Sequence, residues 1–92
     1  MLDTLKELFP IKVMVTKEMI NEADKSNPYK CIGAKALRSV MPKQFAGNIT
    51  WSNITGTIYG GLDSLLIGTE EKLPMMCITK PMEVTFTVID VY

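Results

Sequence analysis

The segment from Asn27 to Pro42, NPYKCIGAKALRSVMP, most constrains the fold because it is the best-bounded helical pattern in the chain. Pro28 has no backbone N–H to lose and its φ is already helical, which suits the first position of a helix, and Asn27 can cap that end. Pro42 pushes the residue before it out of the α region. The segment therefore predicts a helix of about 13 residues, whose core-facing arc is Tyr29, Ile32, Gly33, Ala36, Leu37 and Val40.

Two further features of the predicted helix are a glycine, which indicates a close contact, and a basic side. Glycine costs roughly 1 kcal/mol relative to alanine inside a helix, so Gly33 predicts that a strand or another helix crosses near it. The arc opposite the core holds Cys31, Lys35 and Arg38, stacked at helical spacing and turned towards water. This side is interpreted either as an anion-binding face or as a solvated helix surface. Residues 25–43 contain five basic residues and no acidic one: Lys25, Lys30, Lys35, Arg38 and Lys43.

Length and charge limit the organisation and the partners. A chain of 92 residues predicts one domain, residues 1–92, with a modest core. The net charge of zero argues against non-specific binding of nucleic acid or of a membrane surface. The charge is unevenly distributed, since residues 1–46 carry eight basic and five acidic groups, and residues 47–92 carry two and five. This polarity, together with a little-charged β surface rich in Met and aromatic residues, predicts a homo-oligomer, and pairing of edge strands is one route to it.

The residue types argue against catalysis. The chain has no histidine, the commonest general base and a common metal ligand, so Ser–His and Cys–His nucleophile pairs cannot form within one chain. Two cysteines are too few for a zinc site or a disulfide scaffold. We therefore expect no enzyme activity, no metal and no cofactor. The first ten residues lack a secretory pattern and no apolar run reaches a membrane span, so a cytoplasmic protein with reduced thiols is expected.

The remaining pattern predicts an α+β fold. Residues 1–10 predict a short helical segment, and the alternation of Ile11–Thr16 predicts a half-buried strand. Thr16 can cap a second short helix, whose inward residues are Met19, Ile20 and Ala23. Strands are predicted around 49–55, 57–59 (a separate strand, or continuous with the first through Gly56), 64–67 and 83–91, with a tight turn at Gly60–Gly61. Residues 75–79 fit either a strand or an irregular segment. We expect two or three short helices on one face of a mainly antiparallel sheet of four to five strands.

Two further details concern the last strand and the candidate side chains. Ile89 and Val91 break the alternation of the last strand, which indicates either a bulge or a strand end covered on both faces.

Trp51 is interpreted either as a ring that stacks on a base or anchors a partner, with Asn53 beside it, or as a core residue. Tyr59 is the second aromatic candidate. Cys31 is either a reactive thiol near a helix start or a packed small residue, and Cys77 is predicted to lie in the core.

The order of residues resembles a set of small, mostly uncharacterised bacteriophage proteins. The resemblance rests on a strand ending in Val15–Thr16, on Ile20, on Cys31 followed by Ala34, Ala36 and Leu37, and on a last strand with Pro81, Val84 and Phe86. The chain departs from that pattern at residues 69–79, where such proteins look helical. The resemblance implies a phage origin and carries over no catalytic residue.

Three hypotheses follow. The first is a non-enzymatic viral accessory protein that binds and inhibits a host protein, as in counter-defence. The second is an oligomeric sponge that binds a small anionic nucleotide, with phosphate held by Lys30, Lys35 and Arg38 and the base stacked on Trp51 or Tyr59. The third is a virion or scaffold component without a ligand.

Overall fold

The computed structural model describes residues 2–24 and 26–91, and the chain folds into one antiparallel sheet with short helices. The helices are α1 (Leu2–Lys6), α2 (Lys17–Glu22) and α3 (Ile32–Arg38), with short 3-10 helices at Lys43–Asn48 and Met75–Cys77. The strands are β1 (Ile11–Val15), β2 (Ile49–Ser52), β3 (Thr55–Gly60), β4 (Asp63–Thr69) and β5 (Met82–Val91).

The sheet has the strand order β1-β5-β4-β3-β2, and every neighbouring pair is antiparallel. Strands β2, β3 and β4 form a meander, and β5 returns between β4 and β1. Apart from Gly68 and Thr85, the buried residues of the five strands share one face of the sheet, on which α3 contacts both β1 and β2 and α1 contacts β4. The predicted fold class, an α+β domain with helices on one face of a five-stranded antiparallel sheet, is confirmed.

Helix α3 is shorter than the 13 residues that the sequence pattern predicts. Asn27 does not cap a helix; its side-chain oxygen accepts the Tyr29 N–H at 2.9 Å and its carbonyl accepts the Lys30 N–H at 3.0 Å. These bonds make a local turn of residues 28–30. The helix therefore begins at Ile32, and Tyr29 is exposed instead of lying in the core.

The other end of α3 also differs from the prediction. The helix ends at Arg38, and Ser39 donates its hydroxyl to the Ala36 carbonyl at 2.6 Å. Pro42 precedes the 3-10 helix Lys43–Asn48, which buries Phe45 and was not predicted from the sequence.

Two tight turns fall at positions other than those predicted. The predicted strand 49–55 is folded into a hairpin by a turn at Asn53–Ile54, in which Asn53 has a left-handed φ of 57°. The next turn is centred on residues 61–62, one residue later than predicted, with Gly61 at a φ of 83°. Asparagine and glycine are the residues that tolerate this backbone region best.

Other local predictions are confirmed. The Thr16 hydroxyl accepts the Met19 N–H at 3.2 Å and caps α2. The register between β4 and β5 shifts at Leu66/Ile67, so a bulge, one of the two alternatives given for Ile89 and Val91, is present. Residues 75–77 form a 3-10 turn and not a strand.

The core is organised around Trp51, which is 3% exposed. A Cβ built on Gly33 of α3 would overlap the indole, and so would one built on Gly56, the cross-strand neighbour of Trp51. The indole also meets the ring of Phe86 edge-on, with centroids 5.4 Å apart. The predicted close approach at Gly33 is thus made by a strand, through its tryptophan side chain.

Candidate functional site

Arg38, predicted to face water, uses its guanidinium to join two loops. Its Nε–H donates to the Ala46 carbonyl at 2.9 Å, and its terminal nitrogen donates to the Tyr29 carbonyl. The side chain is half-buried between the turn before α3 and the 3-10 helix after it. These contacts give Arg38 a structural task, since charge-assisted bonds to carbonyls hold both ends of the α3 region in place.

Lys35 is half-buried and borders a shallow depression between α2 and α3. The same depression is lined by Glu18 and Glu22, which reach it because α2 packs beside α3. The sequence from residue 25 to residue 43 contains no acid, but the fold brings two carboxylates to the basic side. The resulting surface has mixed charge, which weakens its attraction for an anion.

Lys30 is exposed in the turn before α3, and its charge acts on Asp24. The pKa of the Asp24 carboxyl is lowered mainly by the hydrogen bonds that it accepts from the Ser26 hydroxyl and backbone N–H, and less by the charge of Lys30. Lys25, the first of the five basic residues, lies outside the described residues.

The contact between Trp51 and Asn53 is a hydrogen bond from the indole to the backbone of Asn53. The two side chains do not form an exposed binding surface together. The indole Nε1–H donates to the Asn53 carbonyl at 3.0 Å, and the same carbonyl accepts the Met75 N–H at 3.3 Å. Burial of Trp51 matches the interpretation in which this ring is a core residue. Its edge contributes to a cavity of about 240 Å³ that Cys31 and Met76 also line.

Tyr59 lies on the other side of the sheet. In β3, Gly56 and Ile58 face the core, so Thr57 and Tyr59 face away from it. The ring of Tyr59 is 45% exposed. The fold therefore separates this exposed ring from Lys35 and Arg38, which lie on the helix side.

The two cysteines are both free thiols. Cys31 is half-buried, and its Sγ–H has long contacts to the carbonyls of Trp51 at 3.6 Å and Pro28 at 3.8 Å. Cys77 is exposed, which corrects the prediction that it lies in the core. That prediction depended on its apolar neighbours Met76 and Ile78, but of these two only Ile78 is buried, and Met76, in the same short 3-10 turn, is exposed as well.

The face of the sheet opposite the helices, here called the open face, was predicted from the sequence only as a little-charged β surface for self-association and through the candidate Tyr59. Its residues are exposed or half-buried, apart from Thr85 and Gly68, which are buried. An alternation of threonines with core residues in β3 and β5 is the pattern that could have revealed it. The centre of the open face is uncharged and is formed by Thr50, Thr55, Thr57, Tyr59, Leu66 and Thr87.

A groove of about 570 Å³ crosses one end of the open face. It runs between the β2–β3 turn at Ile54 and the bulged strand at Ile89, and Glu70 and Lys72 also line it. Ile89 is 55% exposed and lies over Gly68, where a Cβ would be 2.5 Å from its Cδ1. Ile89 continues the alternation of Thr85 and Thr87 on the open face, and the bulge that follows it also brings Asp90 to this face, opposite Leu66.

Within residues 2–24 and 26–91, no three His, Cys, Asp or Glu side chains are grouped so that they could hold a metal ion. No helix in this described part is both long enough and apolar enough to cross a membrane. The geometry offers two surfaces for function, the mixed-charge depression beside α3 and the larger open face. Comparisons with protein-family models, with curated proteins and with solved structures find no match to this chain.

Proposed function

We propose that this chain is a non-enzymatic binding protein that docks an uncharged, apolar surface of a protein partner on its open face. The observation that carries the proposal is that the open-face side chains of β2, β3 and β4 and that of Thr87 are uncharged among the described residues, with Asp90 of the bulge at the margin of this area. Protein interfaces are depleted of charge at their centre and enriched in aromatic side chains such as Tyr59.

The partner is a host protein, and binding inhibits it. This part of the proposal follows from the resemblance to bacteriophage proteins, and counter-defence is the setting that it suggests. An uncharged face selects against partners that present charge, because a charged group loses its hydration there without gaining a counter-charge.

The experiment uses two tyrosines with nearly equal exposure, Tyr59 at 45% and Tyr29 at 49%. Each is replaced in turn by a photo-crosslinking phenylalanine analogue, and the protein is irradiated in lysate of a bacterial host. We expect one host protein to be crosslinked from position 59 and not from position 29. The purified host protein should then lose its activity when wild-type protein is added at equal concentration.

Three outcomes would contradict the proposal: no crosslinked host protein from position 59, equal crosslinking from both positions, or unchanged activity of the captured protein. Stoichiometric recovery of the chain in purified phage particles would support the virion alternative instead.

The nucleotide alternative has its own test in calorimetry with cyclic nucleotides. Because Arg38 already bonds two carbonyls and Tyr59 is on the far side of the sheet, we expect no binding to wild-type protein. Arg38→Ala should instead lower the free energy of unfolding by about 1–2 kcal/mol through loss of two charge-assisted bonds. Nucleotide binding that Arg38→Ala weakens, measured where that variant is folded, would favour the sponge over the protein-binding proposal.

A further inference from the structure

The two edges of the sheet are finished differently. At the β2 edge, the Trp51 N–H donates to the Pro28 carbonyl at 2.9 Å, and the Trp51 carbonyl faces the Cys31 thiol. The turn before α3 therefore covers the outward backbone groups of Trp51 at this edge. The β1 edge, residues 11–15, has no corresponding backbone partner among the hydrogen bonds of the described residues.

The hydrogen bonds of Thr85 show which β1 groups point to the free edge. The Thr85 N–H donates to the Glu71 carboxylate at 3.0 Å and its carbonyl accepts the Glu70 N–H at 2.9 Å, so both groups point away from β1. Lys12, which lies opposite Thr85, is therefore in a non-hydrogen-bonded pair. By alternation, the N–H and C=O groups of Lys12 and Met14 point outward from the sheet.

We propose that β1 pairs with β1 of a second copy of this chain, antiparallel and centred on Val13, to form a ten-stranded sheet across a two-fold axis. This proposal does not rest on the proposed function. In this register Lys12 of each copy exchanges two backbone hydrogen bonds with Met14 of the other, which makes four bonds in total. The two Val13 residues form the central non-hydrogen-bonded pair, on the helix side of the sheet.

Side-chain chemistry favours this register over one centred on Lys12. On the open face, each Lys12 lies opposite an uncharged Met14, whereas a register centred on Lys12 would place two ammonium groups opposite each other. Met14 is 53% exposed in the single chain, so the contact covers an apolar side chain. Glu83 pairs with Met14 within one copy, and Lys12 of the second copy would lie about 10 Å from it, two strand spacings away. The long lysine side chain can cover much of that distance, so the charges at the junction are complementary.

The first test is the mass in solution, measured by light scattering and sedimentation across the micromolar to millimolar range. Wild-type protein should reach twice the chain mass of 10.3 kDa. Met14→Lys should remain at 10.3 kDa, since each Lys12 would then face a lysine. Tyr59→Lys is the matched control: it adds the same charge to an exposed site of the same face, away from the edge, and should leave the dimer intact. A monomeric wild type, or a dimeric Met14→Lys variant, would overturn the proposal.

The second test reads the register. In a Cys31→Ser/Cys77→Ser background, Lys12→Cys and Met14→Cys are made as separate proteins and oxidised alone or mixed. The mixture should form an intermolecular disulfide that neither protein forms efficiently by itself, because the proposed register brings position 12 of one copy opposite position 14 of the other. Crosslinking of either protein alone that equals crosslinking of the mixture would reject the register centred on Val13.

Discussion

The two faces of the sheet are built by the same strands but differ in how closely their side chains are fitted. On the covered face, Trp51 fills the space that side chains at Gly33 and Gly56 would occupy. On the open face, Thr57 and Tyr59 alternate with those core positions and reach solvent. Stability is therefore concentrated on one face, and the other can change its side chains with little effect on folding. That difference is what a contact surface requires.

The largest effects are expected where the indole meets the glycines. Trp51→Ala should lower the free energy of unfolding by about 3–5 kcal/mol. Gly33→Ala should lower it by about 1–3 kcal/mol, because the new Cβ would lie 2.6 Å from Cδ2 of the indole. Both values are measured by chemical denaturation.

Gly47→Ala is the matched control, since a Cβ at this exposed glycine meets nothing within 4 Å. Its free energy of unfolding should stay unchanged or rise slightly. In a Trp51→Ala background, Gly33→Ala should cost less than it does in the wild type. An equal cost in both backgrounds would show that the indole does not set the requirement for glycine.

A second prediction compares two adjacent residues of β3. Ile58 is fully buried on the covered face, so Ile58→Thr should lower the free energy of unfolding by about 2–4 kcal/mol through lost packing and a buried hydroxyl. The reverse exchange on the open face, Thr57→Ile, should change it by no more than about 0.5 kcal/mol. Thermal and chemical unfolding of the two variants give the comparison directly. Equal destabilisation would mean that the open face is covered in the folded protein.

The smallest effect is expected at Thr69, where the covered face carries a polar group. The Thr69 Oγ1 is buried and has no hydrogen-bond partner among the described residues. Thr69→Val keeps the shape of the side chain and removes the hydroxyl, so it should raise the free energy of unfolding by about 1 kcal/mol. Thr87→Val, on the open face, is the control and should change little. A destabilised Thr69→Val variant would indicate that the hydroxyl is hydrogen-bonded in solution.

Local patterns in the sequence predicted several elements correctly. The alternation of Ile11, Val13 and Val15 predicts β1, and the Thr16 cap is made by a side chain three residues from its donor. The broken alternation at Ile89 indicates the bulge. Each of these features depends on neighbours in the chain, so one sequence window contains the physical cause.

The predictions that were wrong depend on a competition between two local options. Asn27 can either cap a helix or close a turn, and its bonds to the turn shorten α3 and expose Tyr29. Asn53 was placed inside a strand, although its tolerance of a left-handed φ allows the hairpin turn that is present. Sequence patterns rank such options poorly because their energies differ by amounts comparable to tertiary contacts.

The candidate site was predicted only in part, since its residues were assigned by type before their surroundings were defined. The helix pattern placed Lys35 and Arg38 on one side of α3, but it could not show that Glu18 and Glu22 lie beside them or that Arg38 bonds two loops. Likewise, the two glycines that hold Trp51 are 23 residues apart in the chain, at positions 33 and 56.

The amino-acid sequence by itself determined the α+β class, the apolar positions of the core and the absence of histidine chemistry, because composition and periodicity act locally. Only the tertiary structure decided which face of the sheet is covered, which edge is open and which charges are engaged. Those properties depend on which distant segments pack together, and the close fit of Trp51 between Gly33 and Gly56 is a contact of that kind.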